Sequence, residues 1–232
     1  MKLSVSVTNY SWPDPIHVRL TSLAAVLDGT AVDTLWVADH LVQADPSCGT
    51  DEPMLEAYTV LGYLAAATRR IRLGTMVTAA TFRAPALLIK AVTTLDVLSN
   101  GRAWLGLGAG YNAAEATAMG LFLPDTAQRF ARMTELLQLA DRMWRGDETA
   151  FRGEYLTAEQ PIGNPRPVTL PHPPVLIGGT GERRTLRSSR SMGTLATCST
   201  SRTAGTRSAG NSGCWTGIAP RWGGLPMRCT AR

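Results

Sequence analysis

The chain has 232 residues, of which 44% are hydrophobic and 18% charged, with a formal net charge of +5. This composition belongs to a globular domain rather than a disordered or fibrous chain, and the length suits one large domain. No run of about 18 uncharged apolar residues occurs, so no helical membrane span is expected. MKLSVSVTNY also lacks the apolar core of a secretory leader, so the expected compartment is the cytoplasm.

KLSVSV (2–7) alternates apolar and polar residues and predicts a strand. Ile16, Leu20, Leu23, Ala24 and Leu27 form a helical stripe over 16–28. TLWVADH (34–40) is a short apolar run ending on two polar groups, and 54–68 predicts a second helix. RIRLGTMVTAA (70–80) reads as one strand. Pro85 opens the next helix and Asn100-Gly101 closes it. RAWLGLGAG (102–110) is a strand running into a glycine loop. A long helix over 127–145 has Asp125 or Thr126 as its cap, and after a Pro-rich stretch PVLIGG (174–179) supplies a fifth strand.

Strands alternating with helices predict a parallel sheet with crossover helices. Polar or small residues follow almost every strand: Asn9, Asp39-His40, Thr78, Gly108 to Asn112, and Gly178 to Gly181. In a barrel these strand ends converge on one mouth, whereas an open doubly wound sheet gathers only some of them. The wide spread favours the barrel.

Several candidate groups follow from that placement. His40 ends the second strand, and an imidazole titrates near neutral pH, so it can exchange a proton with a substrate heteroatom. The alternative is a histidine that merely bonds Asp39 or a loop carbonyl. Asp39 either orients His40 or caps the next turn. In GAGYN, Gly108, Ala109 and Gly110 allow close approach of a ligand, and Asn112 offers both a donor and an acceptor. A tight turn required by any parallel fold explains the same glycines. Glu115, one turn into the following helix, reads as a surface residue. Gly178, Gly179, Thr180 and Gly181, followed by Arg183 and Arg184, open a helix and form a candidate phosphate site. Neither the phosphate-loop pattern nor the dinucleotide pattern is met. His17 and His172 read as surface and loop residues, and the four cysteines show no metal-ligand spacing.

WVADH, LGTMVTA, LGLGAGYN, DTAQRFARMTELLQL and PHPPVLIGGTGERRTLR together resemble the luciferase-like family, within it the branch that uses the deazaflavin coenzyme F420. The resemblance runs from Met1 to about Arg187. It implies a TIM-type (β/α)8 barrel and hydride transfer between the deazaflavin and an organic substrate. It places His40 in the pocket, sets Thr78 and Ala79 behind the ring, and suits the phosphodiester of F420 to the 178–183 loop. FMN is the alternative cofactor, because a luciferase-like monooxygenase shares the fold. A small-molecule substrate is expected, with no metal, no membrane and no specific nucleic acid; homodimerisation is left open.

Residues 188–232 break the pattern. They hold six Arg, three of the four Cys and no acidic residue, so all the basic excess lies there. Back-translated with GC-rich codons and read one base out of register, 188–201 and 211–232 become helix, loop and apolar strand. The expectation is a frameshifted, irregular tail behind a barrel domain over 1–187 truncated to about five βα units. Edge strands one and five would then be unpaired, solubility poor and activity in doubt. An inactive fragment binding polyanions through the Arg-rich tail is the non-enzymatic alternative.

Overall fold

The computed structural model describes residues 2–45 and 48–179 and the backbone of Leu195–Thr197. Strands β1 (Leu3–Val7), β2 (Val32–Val37) and β3 (Arg72–Thr75) pair in parallel in that order. Strands β4 (Thr78–Ala79), β5 (Leu105–Gly108), β8 (Val175–Gly178) and β9 (Leu195–Thr197) form a second parallel run. A parallel bridge from Leu73 to Ala103 joins the two runs into one arc. Helices α1 (Ile16–Asp28), α2 (Ala57–Ala67), α3 (Pro85–Leu98), α4 (Ala113–Met119) and α5 (Thr126–Arg145) fill the connections. The architecture is that of a TIM-type barrel, present as a parallel arc.

Period-two alternation decides which side chains meet the helices and which enter the arc. Leu35 and Val37 of β2 pack with Leu20, Leu27, Leu61 and Leu64 of α1 and α2. Leu105, Leu107, Val175 and Ile177 pack with Leu88, Val92, Met133, Leu137 and Trp144 of α3 and α5. The intervening residues form a third cluster, of Trp36, Trp104 and Leu176 with Val77 against it. The helix-facing clusters are the larger, and burying their leucines supplies about 1.5–3 kcal/mol per side chain.

The helix ends follow their sequence signals. Asp125 caps α5 by accepting from the Gln128 N–H at 3.0 Å, and Gly146 closes the helix at φ 73°. Pro85 begins α3, and Asn100 and Gly101 end it at positive φ. Asp28, just past the last buried turn of α1, accepts the backbone N–H groups of Arg69, Arg70 and Ile71, each at 2.8 Å, and so fixes the start of β3.

Four features depart from expectation. The stretch 70–80 is two strands, β3 ending at Thr75 and β4 starting at Thr78, with Val77 between them packed against Trp36, Trp104 and Leu176 in the arc. A Cβ on Gly108 or on Gly178 would lie 2.7 Å from Val77 Cγ2, so both glycines leave the room that this side chain occupies. Residues 113–119 form α4, and the Pro-rich connection begins with an antiparallel hairpin, β6 (Phe151–Arg152) and β7 (Thr157–Ala158). The 188–232 segment lies outside the described residues apart from Leu195–Thr197, whose backbone pairs with Leu176–Gly178. That pairing satisfies the outer edge of β8, an edge expected from sequence to be bare. At the other end of the arc, Leu3 of β1 stays 53% exposed.

Candidate active site at the strand ends

The C-terminal ends of β2, β4, β5 and β8 bring together Asp39, His40, Thr78, Ala79, Gly108, Ala109, Gly110, Gly178 and Gly179. Thr180, Gly181 and Arg183, the remainder of the phosphate candidate, lie outside the described residues.

His40 is held from α4. Its Nδ1 lies 2.6 Å from Glu115 Oε2, and Glu115 Oε1 accepts the Leu41 backbone N–H at 2.6 Å. Glu115 is only 1% exposed, so the expectation of a surface residue is corrected. The cause is local. Asn112 is the N-cap of α4 and accepts the Glu115 N–H at 3.1 Å, which starts the helix at the register that turns Glu115 inward. The Asn112 oxygen expected to meet a ligand is therefore engaged in capping. With Glu115 accepting from Nδ1–H, the neutral imidazole carries its lone pair on Nε2. That nitrogen faces the Tyr111 hydroxyl at 3.5 Å, and the two rings meet edge to face with centroids 5.8 Å apart.

Asp39 neither orients His40 nor caps a turn. Its carboxylate accepts a forked pair from Arg83, Nη1 to Oδ2 at 2.6 Å and Nη2 to Oδ1 at 2.8 Å. Thr78 Oγ1 also donates to Oδ2 at 2.6 Å, and the Tyr58 hydroxyl lies 3.0 Å from Thr78 Oγ1 as the donor into this chain. Arg83 Nη2 continues to Glu56 Oε1 at 2.5 Å, while Glu56 caps α2 by accepting from the Thr59 N–H. Burial alone would lower the Arg83 pKa, but Asp39 and Glu56 hold the guanidinium above its ordinary value. Burial pushes the Tyr58 phenol up to about 12, so it keeps its proton at neutral pH. Two carboxylates thus enclose one guanidinium, and the network ties the end of β2 to β4 and to the start of α2. A cleft of about 140 Å³ opens beside it, lined by Asp39, Leu41, Glu56, Phe82 and Arg83.

The rest of the mouth is small-residue backbone. Ala80 N donates to Gly108 O at 2.8 Å, which pins β4 against the end of β5. Gly110 has φ +80°, and a Cβ there would lie 3.1 Å from Ala79 Cβ. Ala79, Gly108, Ala109 and Gly110 therefore present a floor with no side chain beyond Cβ, with His40 at its side. Such a floor can carry a flat heterocycle, and the imidazole can exchange a proton with a ligand lying above it. Sequence reasoning placed His40 and the floor but missed Glu115, Arg83 and Glu56. An acidic residue three positions after a capping Asn was the signal for Glu115.

Fold and mouth together define a parallel α/β barrel with its site at the strand ends. The chain belongs to the luciferase-like monooxygenase family, whose model matches residues 5–202 and so runs past Arg187. Over 164 residues it is 34% identical to an F420-dependent glucose-6-phosphate dehydrogenase of Kineococcus radiotolerans, covering 70% of this chain and 48% of that protein. The chain thus spans about half the length of the curated relatives it matches. Among solved structures, monooxygenase RslO1 from Streptomyces bottropensis superposes with a TM-score of 0.72 at 22% identity, covering 84% of this chain and 59% of that one. An F420-dependent secondary alcohol dehydrogenase in complex with an F420-acetone adduct gives 0.65 at 22% identity, covering 83% and 56%. No helix among the described residues is long and apolar enough to cross a membrane.

Proposed function

We propose that this chain supplies the cofactor-holding strand ends of an F420-dependent oxidoreductase acting on a small organic substrate. The observation that carries the reading is the buried Glu115 carboxylate behind His40, beside a floor made of Ala79, Gly108, Ala109 and Gly110. Relatives named as F420-dependent dehydrogenases support the cofactor.

The residues present fit the ring of that coenzyme. A flat tricycle needs a face free of side chains, and a Cβ at Gly110 would already press on Ala79 at 3.1 Å. Thr78 and Ala79 would back the ring, and Gly178 and Gly179 would lead toward its phosphodiester. When bound, the deazaflavin accepts or gives a hydride. His40 Nε2 would take up the matching proton from a substrate oxygen or return it, while Glu115 keeps Nδ1 protonated and the ring turned to the mouth. Asp39, fixed by Arg83 and Thr78, holds the end of β2 from which His40 projects.

FMN is the second reading, since a type II Baeyer-Villiger monooxygenase sharing this fold was solved in complex with FMN. Equilibrium dialysis of the purified chain against F420 and against FMN separates the two. Retention of F420 in a one-to-one ratio supports the proposal; retention of FMN alone moves the chain to the monooxygenase branch.

A further inference from the structure

Tyr111 has no part in the scaffold just described, yet it stands at the one reactive nitrogen. It follows Gly110, whose positive φ turns the chain across the mouth. Tyr111 is 73% exposed, and its ring meets the edge of His40. Its hydroxyl stops 3.5 Å from His40 Nε2, at the outer limit of a hydrogen bond. A third oxygen about 2.8 Å from each atom completes a triangle and can hydrogen-bond to both.

Resting on the cofactor reading above, we infer that Tyr111 is a substrate-binding residue that shares one neutral substrate oxygen, a hydroxyl or a carbonyl, with His40 Nε2. The charges around the pair favour a neutral group. Glu115 stands directly behind His40 and Asp39 is the adjoining residue. Arg83, the cation bonded to Asp39, is also bonded to Glu56. A carboxylate or phosphate brought to Nε2 would meet two acidic neighbours and a committed arginine. A neutral oxygen meets no such repulsion. A substrate hydroxyl can accept from the Tyr111 hydroxyl and donate to unprotonated Nε2, while a carbonyl accepts from Tyr111 and from Nε2–H when that nitrogen carries the proton. The anionic part of any substrate would have to bind elsewhere.

The test uses the full chain with 15N-labelled histidine and follows the His40 ring signals as cyclohexanol, cyclohexanone or inorganic phosphate is added, in wild type and in Tyr111→Phe. The expected result is a saturable shift with both neutral probes. Tyr111→Phe should weaken it about tenfold for the ketone, which loses the hydroxyl donor. The alcohol should lose less, because Nε2 still accepts its proton. Phosphate should give no saturable shift. Being exposed, Tyr111 can be replaced without unfolding the chain, and an unchanged amide spectrum verifies that. Equal ketone affinity in both proteins overturns the inference, as does a saturable phosphate response at His40. A parallel F420 titration keeps the cofactor reading separate: loss of F420 binding refutes that reading and leaves the probe response at His40 to be judged on its own.

Discussion

Glu115 and His40 are 75 residues apart in the chain, yet a carboxylate with no exposed side-chain surface grips the imidazole at 2.6 Å. The contact bridges the end of β2 and the first turn of α4, and it makes His40 a directed group rather than a loose surface histidine. Glu115→Gln should leave the fold intact, because Gln is nearly isosteric, but it removes the fixed acceptor at Nδ1. The ring nitrogens should then show mixed tautomers in 15N spectra, where a neutral wild-type ring should show the Nδ1–H tautomer in excess. His40→Gln should lower the rate of hydride transfer by about 10²-fold or more, the usual cost of losing a positioned proton donor. A rate within twofold of wild type in the His40 variant would remove the residue from the mechanism.

The Asp39–Arg83 fork should behave as a buried pair, because the side chains are 2% and 15% exposed. Removing Arg83 strands the buried Asp39 carboxylate, and removing Asp39 leaves the guanidinium with Glu56 alone. Asp39→Ala or Arg83→Met should each destabilise the chain by about 3 kcal/mol, and the double variant should cost clearly less than the sum. Urea denaturation of the three proteins checks this. Strict additivity would mean that the pair is not coupled.

Acid should loosen the start of β3 early. Burial is the largest single influence and pushes the Asp28 carboxyl up, but the N–H groups of Ile71, Arg69 and Arg70 together outweigh it and hold the pKa below the ordinary value. A depressed carboxyl contributes stability that is complete above the unfolded-state pKa, roughly 4, and is lost as pH falls through the folded-state value. Asp33 and Glu56 are lowered as well, so they act in the same window. Asp28→Asn should flatten the fall of melting temperature below about pH 4 relative to wild type, with parallel curves above about pH 5. Identical acid limbs would exclude the link.

Among the described glycines, Gly106 leaves the least room for a side chain. A Cβ there would sit 1.7 Å from the Thr75 carbonyl oxygen, and backbone cannot move aside as a side chain can. Gly106→Ala should cost more than the roughly 1–3 kcal/mol of ordinary overpacking and yield insoluble protein. Gly62→Ala, on the open face of α2 with nothing within 4 Å, should be neutral or stabilising. Soluble yield and melting temperature of the two variants provide the comparison.

Much of this architecture is legible in the sequence. The stripe from Ile16 to Leu27 gives α1, Pro85 and Gly101 bracket α3, and the apolar runs around Leu35 and Leu105 give the parallel strands. His40 was legible as a polar residue closing an apolar run. What escaped depends on long-range contact. Nothing local to Glu115 says that β2 will pass within reach of its carboxylate. Asp39 has a partner 44 residues away, so its role could not be read from its neighbours. The break at Met76–Val77 was hidden because RLGTMVTAA is good strand sequence on both sides. The hairpin β6–β7 has two residues per strand, too few for periodicity to show.

The central claim is that the small-residue floor beside His40 receives the deazaflavin. Amide and histidine-ring NMR of the labelled chain during an F420 titration tests it most directly. The account predicts saturable shifts at Ala79, at Gly108 to Gly110 and at the His40 ring, with the outer faces of α1 and α3 unmoved. Binding whose shifts map to those helices, or no saturable shift at the strand ends, would contradict it.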